Sequence, residues 1–380
     1  MKLPDGETEG NPVLASFSRL ESAADAAMTY FYGQLFAMEP EIAAMFPAAM
    51  DAQRRRMFRA FGKIATGGDD LVPYLELLGR VHRKDGVRER HFEVFRRALI
   101  ATLQRFCGDE CDTTTWESAF DHAASVMMKA AAADTRPAWW IGTVTRTELR
   151  APGIAVLTLH PDQPLSYLPG QHISVQTPHW PRQWRTYSIA NAPRADGTLS
   201  LHIRAVEGGM VSHALVHHVA AGDPLVLGAP SGMMTLDVSS TRDVLCLAGG
   251  TGLAPIKAIV EALASSGAGT RSGAGTGGKR REIALYVGAR RHRDLYDMAD
   301  LRELELAYPW LQVIPAVSAE PARDAMSGTL PELAVQAGWP GRDIYVSGPD
   351  QMIVKTIHVL RDLGAPPERI HYDLPDDHLG

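Results

Sequence analysis

A cation, a flat aromatic ring and a small hydroxyl group follow one another in one short stretch of this chain. Arg185 carries a planar fork of donors that suits two oxygens of a diphosphate, Tyr187 offers a ring for stacking, and Ser188 can hydrogen-bond a ring nitrogen. In an extended strand the first two point to one face and the serine to the other, so the strand must bend for all three to reach one ligand. The stretch indicates a site for a ring-bearing diphosphate, although similar runs are typical of ordinary strands.

Two neighbouring segments strengthen this interpretation. Residues 167–172 read Tyr-Leu-Pro-Gly-Gln-His, and residues 208–212 read Gly-Gly-Met-Val-Ser. The paired glycines let main-chain amides approach a phosphate closely. Short alternating segments, separated by Pro, Gly and Asp, surround these motifs and predict an antiparallel barrel. The Trp139-Trp140 pair opens the first of these strands and is interpreted as core at a domain junction.

A second glycine-rich segment lies between an apolar run and a helical pattern. Residues 244–248 are apolar without a break, as expected of a buried parallel strand. Gly249-Gly250-Thr251-Gly252-Leu253-Ala254-Pro255 follows, and then a helix predicted over residues 256–263. Strand, glycine turn and helix form the setting in which a phosphate binds at a helix N-terminus, and Pro255 suits the first helical turn.

Two later strands end in segments that suit the same ligand. They are predicted over residues 283–287 and 343–346, and they end at Gly288-Ala289-Arg290 and at Ser347-Gly348-Pro349. In open α/β sheets, ligands bind at the carboxyl ends of the strands. We therefore expect these segments to lie beside the glycine turn.

The first third of the chain has a helical pattern, because apolar residues recur at spacings of three and four. This predicts an all-α domain of about six to eight helices. His82 lies in line with Leu78 on an apolar helix face, where a lone histidine is more often a core residue than a metal ligand. A ligand role needs partners. Tyr32 precedes Phe46 by 14 residues, and Gln53 precedes His82 by 29.

Together these motifs resemble two known families. The three segments at 167–172, 185–188 and 208–212, in that order, and the Gly-x-Gly-x-x-Pro turn at 250–255 resemble the motifs of the ferredoxin–NADP reductase superfamily. The likeness covers about residues 139–380. The spacings in the helical segment are those of a globin's distal tyrosine, haem-wedging phenylalanine, distal polar residue and proximal histidine, so the segment resembles the globin domain of a flavohaemoglobin. The resemblance implies a multidomain chain: an all-α globin domain (1–138), an antiparallel β-barrel FAD domain (139–240) and an α/β parallel-sheet NAD(P)-binding domain (241–380).

The resemblance also implies roles for individual residues. His82 would bind the iron of haem b, Phe46 would pack on the porphyrin, and Tyr32 and Gln53 would face O₂. The residues expected to contact FAD are Tyr167, Arg185, Tyr187, Ser188, Gly208, Gly209, Val211 and Ser212. The residues expected to contact the nicotinamide nucleotide are Gly250, Thr251, Gly252, Pro255, Gly288, Arg290, Ser347, Gly348 and Pro349.

The chain departs from the family pattern on the proximal side of the haem and beside both nucleotides. Phe92 replaces a tyrosine, and Ala133, next to Asp134, falls at the position of a glutamate. An imidazole without an anionic partner donates less electron density to iron. Ser347 stands where the family often has cysteine, and the C-terminal His-Tyr-Asp-Leu-Pro lacks the usual Glu-Cys-Phe.

The choice between NADH and NADPH rests on one loop. Arg290, Arg291 and Arg293 could pair with a 2′-phosphate, which would favour NADPH. The stretch that follows, Asp294-Leu295-Tyr296-Asp297, is common in relatives that use NADH. We expect NADH, with NADPH as the alternative.

Composition excludes several classes of protein. The 380 residues carry a net charge of −6, which argues against a nucleic-acid binder. There is no apolar run of about 18 residues for a membrane span and no signal-peptide pattern, and three cysteines fit a reducing compartment. A cytoplasmic monomer is expected. Cys246 is predicted to be core, Cys107 and Cys111 complete no metal site, and residues 265–278 read as a flexible surface loop.

The expected activity is a relay of electrons from NAD(P)H through FAD to haem, with O₂ and nitric oxide as substrates and nitrate as product. A flavin belongs between the other two groups because a nicotinamide gives two electrons as hydride, haem iron accepts one at a time, and flavin does both. Two alternatives stay open. The chain is an NAD(P)H oxidase or a flavin reductase for another acceptor, with a modified globin domain, or it is an O₂ or redox sensor.

Overall fold

The computed structural model describes residues 11–47, 49–108, 111–265, 281–321 and 323–374. The chain divides into two compact units, residues 1–138 and 139–379. A helical unit is followed by an antiparallel sheet and a parallel sheet, which confirms the predicted fold class. The three predicted domain ranges, including the boundary after residue 240, stay predictions.

The described part of the first unit contains seven α-helices, each built on a buried apolar face. α1 begins at a side-chain cap, because Asn11 Oδ1 accepts hydrogen bonds from the amides of Val13 and Leu14 at 3.0 and 3.1 Å. The largest buried side chains of the core include Phe31, Phe61 and Trp116. The helices are α1 (Pro12–Glu21), α2 (Ala24–Met38), α3 (Pro40–Ala43), α4 (Asp51–Thr66), α5 (Leu71–His82), α6 (Glu89–Cys107) and α7 (Thr113–Ala133).

A glycine decides how closely α5 packs on α7. A Cβ atom placed on Gly79 would lie 2.2 Å from the carbonyl oxygen of Met127. No other residue fits there without moving a backbone, so Gly79 sets the position of the last turn of α5. That turn ends at His82.

The second unit begins with a closed antiparallel barrel. Its strands lie in the order β4-β3-β6-β1-β2-β5, and a bridge between Ile189 and Leu201 joins the two outer strands. Closure pairs the edges of the sheet with each other. The elements are β1 (Trp139–Ala151), β2 (Ile154–Pro161), β3 (His172–Gln176), β4 (Arg185–Ser188), β5 (Leu199–Arg204), α8 (Met210–His217) and β6 (Pro224–Gly228).

A parallel sheet of six strands follows, in the order β10-β9-β8-β7-β11-β12. The carboxyl ends of β8, β7 and β11 therefore lie side by side, where ligands bind in sheets of this type. The elements are β7 (Val244–Gly249), α9 (Leu253–Ser265), β8 (Ile283–Ala289), α10 (Met298–Ala307), β9 (Leu311–Val317), β10 (Met326–Ser327), α11 (Leu330–Ala334), β11 (Asp343–Ser347), α12 (Asp350–Asp362) and β12 (Ile370–His371).

Several smaller predictions can be compared with the structure. Trp140 is core, with 2% of its surface exposed, but Trp139 is 47% exposed, so the prediction that both tryptophans are core is wrong for Trp139. Cys246 is fully buried in β7, as expected. Of the predicted surface loop, residues 266–278 lie outside the described residues. No helix in the described ranges is both long and apolar enough to cross a bilayer.

Candidate functional site

The last residue of α5 is oriented as a metal ligand would be. Nδ1 of His82 lies 2.7 Å from the carbonyl oxygen of Leu78. A carbonyl can only accept, so Nδ1 carries the proton and Nε2 keeps its lone pair. Burial lowers the pKa of His82, against the opposing charge of Asp85, which favours the neutral imidazole that binds iron. The arrangement fits an axial haem ligand.

A buried hydroxyl without a partner defines the distal side. Tyr32 is 3% exposed, and its hydroxyl makes no hydrogen bond of normal geometry among the described residues. Burial raises the pKa of Tyr32 well above its usual range, and the neighbouring Gln53 side chain acts in the opposite direction. An unsatisfied buried hydroxyl is costly and needs an explanation. A small polar ligand beside Tyr32 and Gln53 provides one.

Phe46 completes this cluster. Its ring centroid lies 5.4 Å from that of Tyr32 and 5.6 Å from that of Phe36. The fold thus brings together three of the four residues for which the sequence implied a haem role, namely Tyr32, Gln53 and Phe46. They come from α2, α4 and the turn between α3 and α4. A buried hydroxyl, a histidine whose Nε2 keeps its lone pair and an aromatic wall are the donor set that haem with a diatomic ligand requires.

Ala133 stands at the position that the resemblance gives to the family's proximal glutamate, and it carries no carboxylate. Asp134, beside Ala133, lies 3.3 Å from Arg83 and 2.8 Å from Arg136. The hydrogen bond from Arg136 is the main reason that the pKa of Asp134 falls to about 2. Asp134 therefore pairs with arginines, and the polar partner of the His82 imidazole is the neutral Leu78 carbonyl.

Two residues near the haem site have structural roles. His91, next to Phe92, accepts a hydrogen bond from the Arg88 amide at 3.1 Å and thereby caps the start of α6. Arg54 pairs with Asp25 at 3.1 Å and with Asp51. Arg54 is thus held by carboxylates on α2 and at the start of its own helix, α4.

The predicted flavin stretch forms β4 and pairs with β3. Ser188 lies opposite His172 and Tyr187 opposite Ile173. Tyr187 is partly buried, and burial raises its pKa to about 12, so the ring is neutral at physiological pH. Arg185 is exposed, and its Nη1 donates to the Trp184 carbonyl at 2.8 Å. The cation therefore lies at the surface next to the aromatic ring, as a diphosphate contact requires.

Two predicted FAD contacts have hydroxyls that are already paired. Tyr167 Oη donates to the Asn191 carbonyl at 3.1 Å and accepts from the Asn191 amide at 3.0 Å. Ser212 Oγ donates to the Gly209 carbonyl at 2.9 Å and accepts from the Val206 amide at 3.2 Å. Both residues shape the loops around the site, and their contact with a cofactor stays a prediction.

The loop before α8 presents main-chain amides. Gly208 has a positive φ of 70°, and Gly209 is the residue that precedes the helix. A Cβ atom on Gly209 would lie 2.4 Å from Val206 Cγ2. The N-terminus of α8 carries partial positive charge from its free amides. Gly208, Gly209 and Val211 are thus placed as a phosphate site needs.

The two predicted nicotinamide motifs meet backbone to backbone. A Cβ atom on Gly252 would lie 2.4 Å from the amide nitrogen of Gly348, and one on Gly348 would lie 3.0 Å from the carbonyl oxygen of Gly249. The turn over residues 250–252 and the Ser347-Gly348-Pro349 segment therefore form one surface. It lies at the carboxyl ends of β7 and β11, as predicted from the sequence.

The third segment of this edge follows β8. Gly288 packs against Leu330, because a Cβ atom there would lie 2.6 Å from Leu330 Cγ. Arg290, Arg291 and Arg293 are exposed, so their guanidinium groups can reach a ligand. Tyr296 belongs to residues 294–297, the stretch that is common in NADH-using relatives. Its hydroxyl contacts His202 of the barrel.

Sequence reasoning missed one cation at this edge. Arg204 is the last residue of β5, and its Nη2 lies 3.5 Å from the position that a Cβ atom on Gly250 would take. A barrel residue thus reaches the glycine turn that follows β7. In the sequence, Arg204 is a cation at the end of an alternating strand pattern, but no neighbouring residue indicates which loop its side chain contacts.

Three family models match separate parts of the chain. They are Globin over residues 29–127, Oxidoreductase FAD-binding domain over residues 152–236, and Oxidoreductase NAD-binding domain over residues 246–357. Their order is the order of the helical unit, the barrel and the parallel sheet.

Individual proteins give the same picture. The ferredoxin–NAD(P)(+) reductase component of the naphthalene 1,2-dioxygenase system of Pseudomonas putida is 32% identical over 63% of this chain and 70% of its own. A flavohemoprotein of Chromobacterium violaceum is 26% identical over 97% of both chains. A crystal structure of flavohemoglobin from Malassezia yamatoensis, with bound FAD and heme, has the same fold, with a TM-score of 0.77, 16% identity and coverage of 97% of this chain and 98% of its own.

Proposed function

Since the chain belongs to the flavohaemoglobin family, in which a globin precedes the FAD- and NAD-binding domains of an oxidoreductase, we propose that it converts nitric oxide and O₂ to nitrate with electrons from NADH. The coarser activity, haem- and FAD-dependent oxidation of NAD(P)H, follows from the domain content. The observation that carries the finer proposal is the buried hydroxyl of Tyr32, which lies beside Gln53 and makes no hydrogen bond of normal geometry among the described residues.

The balance of the reaction explains the three domains. One nitric oxide, one O₂ and one electron give one nitrate ion, so one NADH supports two turnovers. When bound, FAD takes the hydride as a pair of electrons and releases them singly, and haem supplies the iron at which O₂ binds.

The chain's own residues hold and orient these groups. His82 would present Nε2 to the iron, because the Leu78 carbonyl fixes its proton on Nδ1. Tyr32 would donate a hydrogen bond from its hydroxyl to the O₂, and Gln53 stands beside it. Hydrogen bonds from a preorganised site stabilise the negative charge that O₂ gains on reduction.

The reductase residues position two nucleotides. Arg185 and the amides before α8 would hold the FAD diphosphate, and Tyr187 and Ser188 would contact its flavin ring. The turn over residues 250–252 would hold the NADH diphosphate at the start of α9, and Arg204 lies at the edge of this turn. NADH is proposed over NADPH on the basis of residues 294–297.

A kinetic experiment on the full chain tests this function. Purified protein loaded with haem and FAD is given NADH, O₂ and nitric oxide, and nitric oxide loss and nitrate formation are followed. Wild type should form about one nitrate per nitric oxide, and cyanide should block the reaction. Tyr32→Phe should lower nitric oxide turnover at least about tenfold, since a donor aimed at developing charge contributes that much or more. Gln53→Ala should act in the same direction.

The control is Tyr30→Phe on the same helix. The Tyr30 ring packs against Phe106, away from the distal cluster, so this variant should leave turnover unchanged. Wild-type protein that is fully loaded with both groups yet forms no nitrate would refute the dioxygenase proposal.

A second candidate function is the reduction of another electron acceptor. It is favoured by the proximal side of the haem site, where the hydrogen-bond partner of His82 is uncharged. The neutral Leu78 carbonyl is the partner of His82, and Asp134 pairs with arginines. Under this proposal His82→Ala abolishes the Soret band but leaves NADH oxidation with an artificial acceptor such as ferricyanide intact, and wild type consumes no more nitric oxide than the variant does. If nitric oxide loss requires His82, the second function is not the main one.

A further inference from the structure

A carboxylate that follows one strand is held against the arginine-rich loop that follows the next. β8 is followed by Arg290-Arg291-His292-Arg293, a run without an acidic residue. β9 ends at Val317, and Glu320 comes after it. Oε1 of Glu320 accepts a hydrogen bond from the His292 amide at 2.5 Å, and His292 Nδ1 lies 2.7 Å from the same oxygen. The carboxylate therefore lies beside the middle of a cationic loop.

Main-chain hydrogen bonds fix these two loops to each other. The amide of Ser318 donates to the Ala289 carbonyl at 3.2 Å, and the amide of Ala319 donates to the Arg290 carbonyl at 2.9 Å. They continue the parallel pairing of β8 with β9, in which Ala289 lies opposite Val317. The carboxylate is thus held in one place before a ligand arrives, and such preorganisation strengthens a selective contact.

The Glu320 carboxylate is charged and can be reached from outside. The hydrogen bond from the His292 amide is the main reason that the pKa of Glu320 lies below its usual range. The side chain is 33% exposed. Among the described residues, both contacts of the carboxylate with His292 end on Oε1, so Oε2 is left to accept a hydrogen bond from a ligand.

The order of the strands indicates which part of a nucleotide reaches this carboxylate. The sheet runs β9-β8-β7-β11, and the turn proposed to hold the NADH diphosphate follows β7. The arginine run lies on the β8 side of that turn, and Ser347-Gly348-Pro349 lies on the β11 side. β9 is two strand spacings, about 10 Å, from β7. A nucleotide whose adenosine end meets the arginines therefore brings its ribose to the ends of β8 and β9.

We propose that Glu320 selects NADH over NADPH, because its Oε2 accepts a hydrogen bond from the 2′-hydroxyl of the adenosine ribose and its charge repels a 2′-phosphate at the same place. The inference rests on the NADH site of the proposed function and deepens it. In parallel-sheet sites an acidic residue commonly binds this hydroxyl, whereas an arginine accommodates the phosphate. Here the arginines follow β8 directly, and the acidic residue that opposes them comes from the next strand.

Two nucleotides that differ only in the 2′-phosphate test the proposal without electron transfer. The full chain, loaded with haem and FAD, is titrated in a calorimeter with adenosine 5′-monophosphate and with adenosine 2′,5′-bisphosphate. Wild type should bind the monophosphate more tightly. Glu320→Gln keeps an oxygen for the His292 amide but removes the charge. It should lower the ratio of the two affinities about tenfold, as expected when a hydrogen bond to a charged group is weakened.

The rate of flavin reduction gives a second measurement. In Glu320→Gln, the ratio of kcat/KM for NADH to that for NADPH should fall about tenfold for the same reason. The limiting rate at saturating NADH should stay unchanged, because the adenosine ribose is remote from the transferred hydride. Glu282→Gln is the matched control. Glu282 is exposed and precedes β8 at the opposite end of the strand, so this variant should alter neither ratio.

Two further variants separate Glu320 from its neighbours. His292→Ala removes the groove wall that holds Oε1 through Nδ1, and it should lower both ratios in the same direction as Glu320→Gln. Asp294 is the first acidic residue after the arginine run along the chain. If Asp294→Asn changes the ratios and Glu320→Gln does not, Asp294 is the selecting carboxylate and the proposal is overturned.

The remaining outcomes also decide between the claims. An unchanged ratio in Glu320→Gln overturns the proposal, and so does a wild type that binds the bisphosphate more tightly. Wild type that binds neither nucleotide and is not reduced by NADH refutes the nicotinamide site of the proposed function. Wild type that shows the expected preference but forms no nitrate supports the role of Glu320 and refutes the dioxygenase proposal alone.

Discussion

His202 Nδ1 lies 2.7 Å from the hydroxyl oxygen of Tyr296 and thereby joins the barrel to the nucleotide-binding domain. His202 is on β5, and Tyr296 precedes α10. Beside this pair, Lys257 of α9 contacts Asp297 at 2.6 Å and Asp300 at 3.0 Å, and Arg150 of β1 reaches Asp300 at 2.9 Å. This network fixes how the two domains of the reductase face each other, and hydride transfer between their nucleotides depends on that geometry.

The His202 pair predicts an acid sensitivity of the reductase unit. Burial, aided by Lys257 and Arg150, lowers the pKa of His202 to about 3. The unfolded chain binds this proton at higher pH than the folded chain does, so stability should fall as the pH drops below about 6.5, by about 2 kcal/mol at pH 5. Urea unfolding followed by near-ultraviolet circular dichroism measures it. His202→Gln should flatten the slope between pH 6.5 and 5, and an equal slope in the variant would contradict the assignment.

The buried carboxylate of Asp297 predicts a large effect of removing its cation. Asp297 is 1% exposed, and Lys257 is its closest partner. Lys257→Met should destabilise the reductase unit by about 3 kcal/mol, because it takes the nearer of two cations from a buried carboxylate and leaves only Arg150, at 3.5 Å. Adding Asp297→Asn should restore part of this loss. Arg97→Met, which removes an exposed partner of Glu93, is the control and should change the free energy of unfolding by about 1 kcal/mol or less.

The close contact between Gly79 and Met127 predicts that a methyl group added at position 79 loosens the packing of α5, the helix that ends at His82. Gly79→Ala would place Cβ 2.2 Å from a backbone oxygen, so α5 must move away from α7. We expect a loss of about 1–3 kcal/mol in the unfolding of the helical unit and faster loss of haem to apomyoglobin. Gly33→Ala on α2, where the structure leaves open space, should be neutral or stabilising. Similar haem loss rates for the two variants would show that Gly79 does not position His82.

The position of Arg204 predicts a role in nicotinamide binding. Its guanidinium group lies at the glycine turn that is proposed to hold the NADH diphosphate. Arg204→Met should raise the KM for NADH about tenfold, as expected for a lost charge-assisted hydrogen bond, and leave FAD content unchanged. Stopped-flow reduction of the flavin measures both the affinity and the rate. Arg146→Met on β1, an exposed arginine that pairs with Glu148, is the control. An unaltered KM in the Arg204 variant would place the diphosphate elsewhere.

The sequence by itself determined the order of the three domains and most of their ligand-facing segments. Helical and strand periodicities are local, so local pattern alone assigned His82 to a helix and the turn over 250–252 to a strand edge. The spacing of Tyr32, Phe46, Gln53 and His82 carried the globin resemblance for the same reason, since positions along helices fix which residues share a face.

Only the tertiary structure decided which polar groups find partners. His202 and Tyr296 lie 94 positions apart, and no pattern near either one shows that they meet. The carbonyl of Leu78 rather than a carboxylate holds His82, Asp134 pairs with arginines, and the Tyr32 hydroxyl has no partner among the described residues. The satisfaction of a buried group depends on segments that arrive from distant parts of the sequence, and that information is absent from spacing alone.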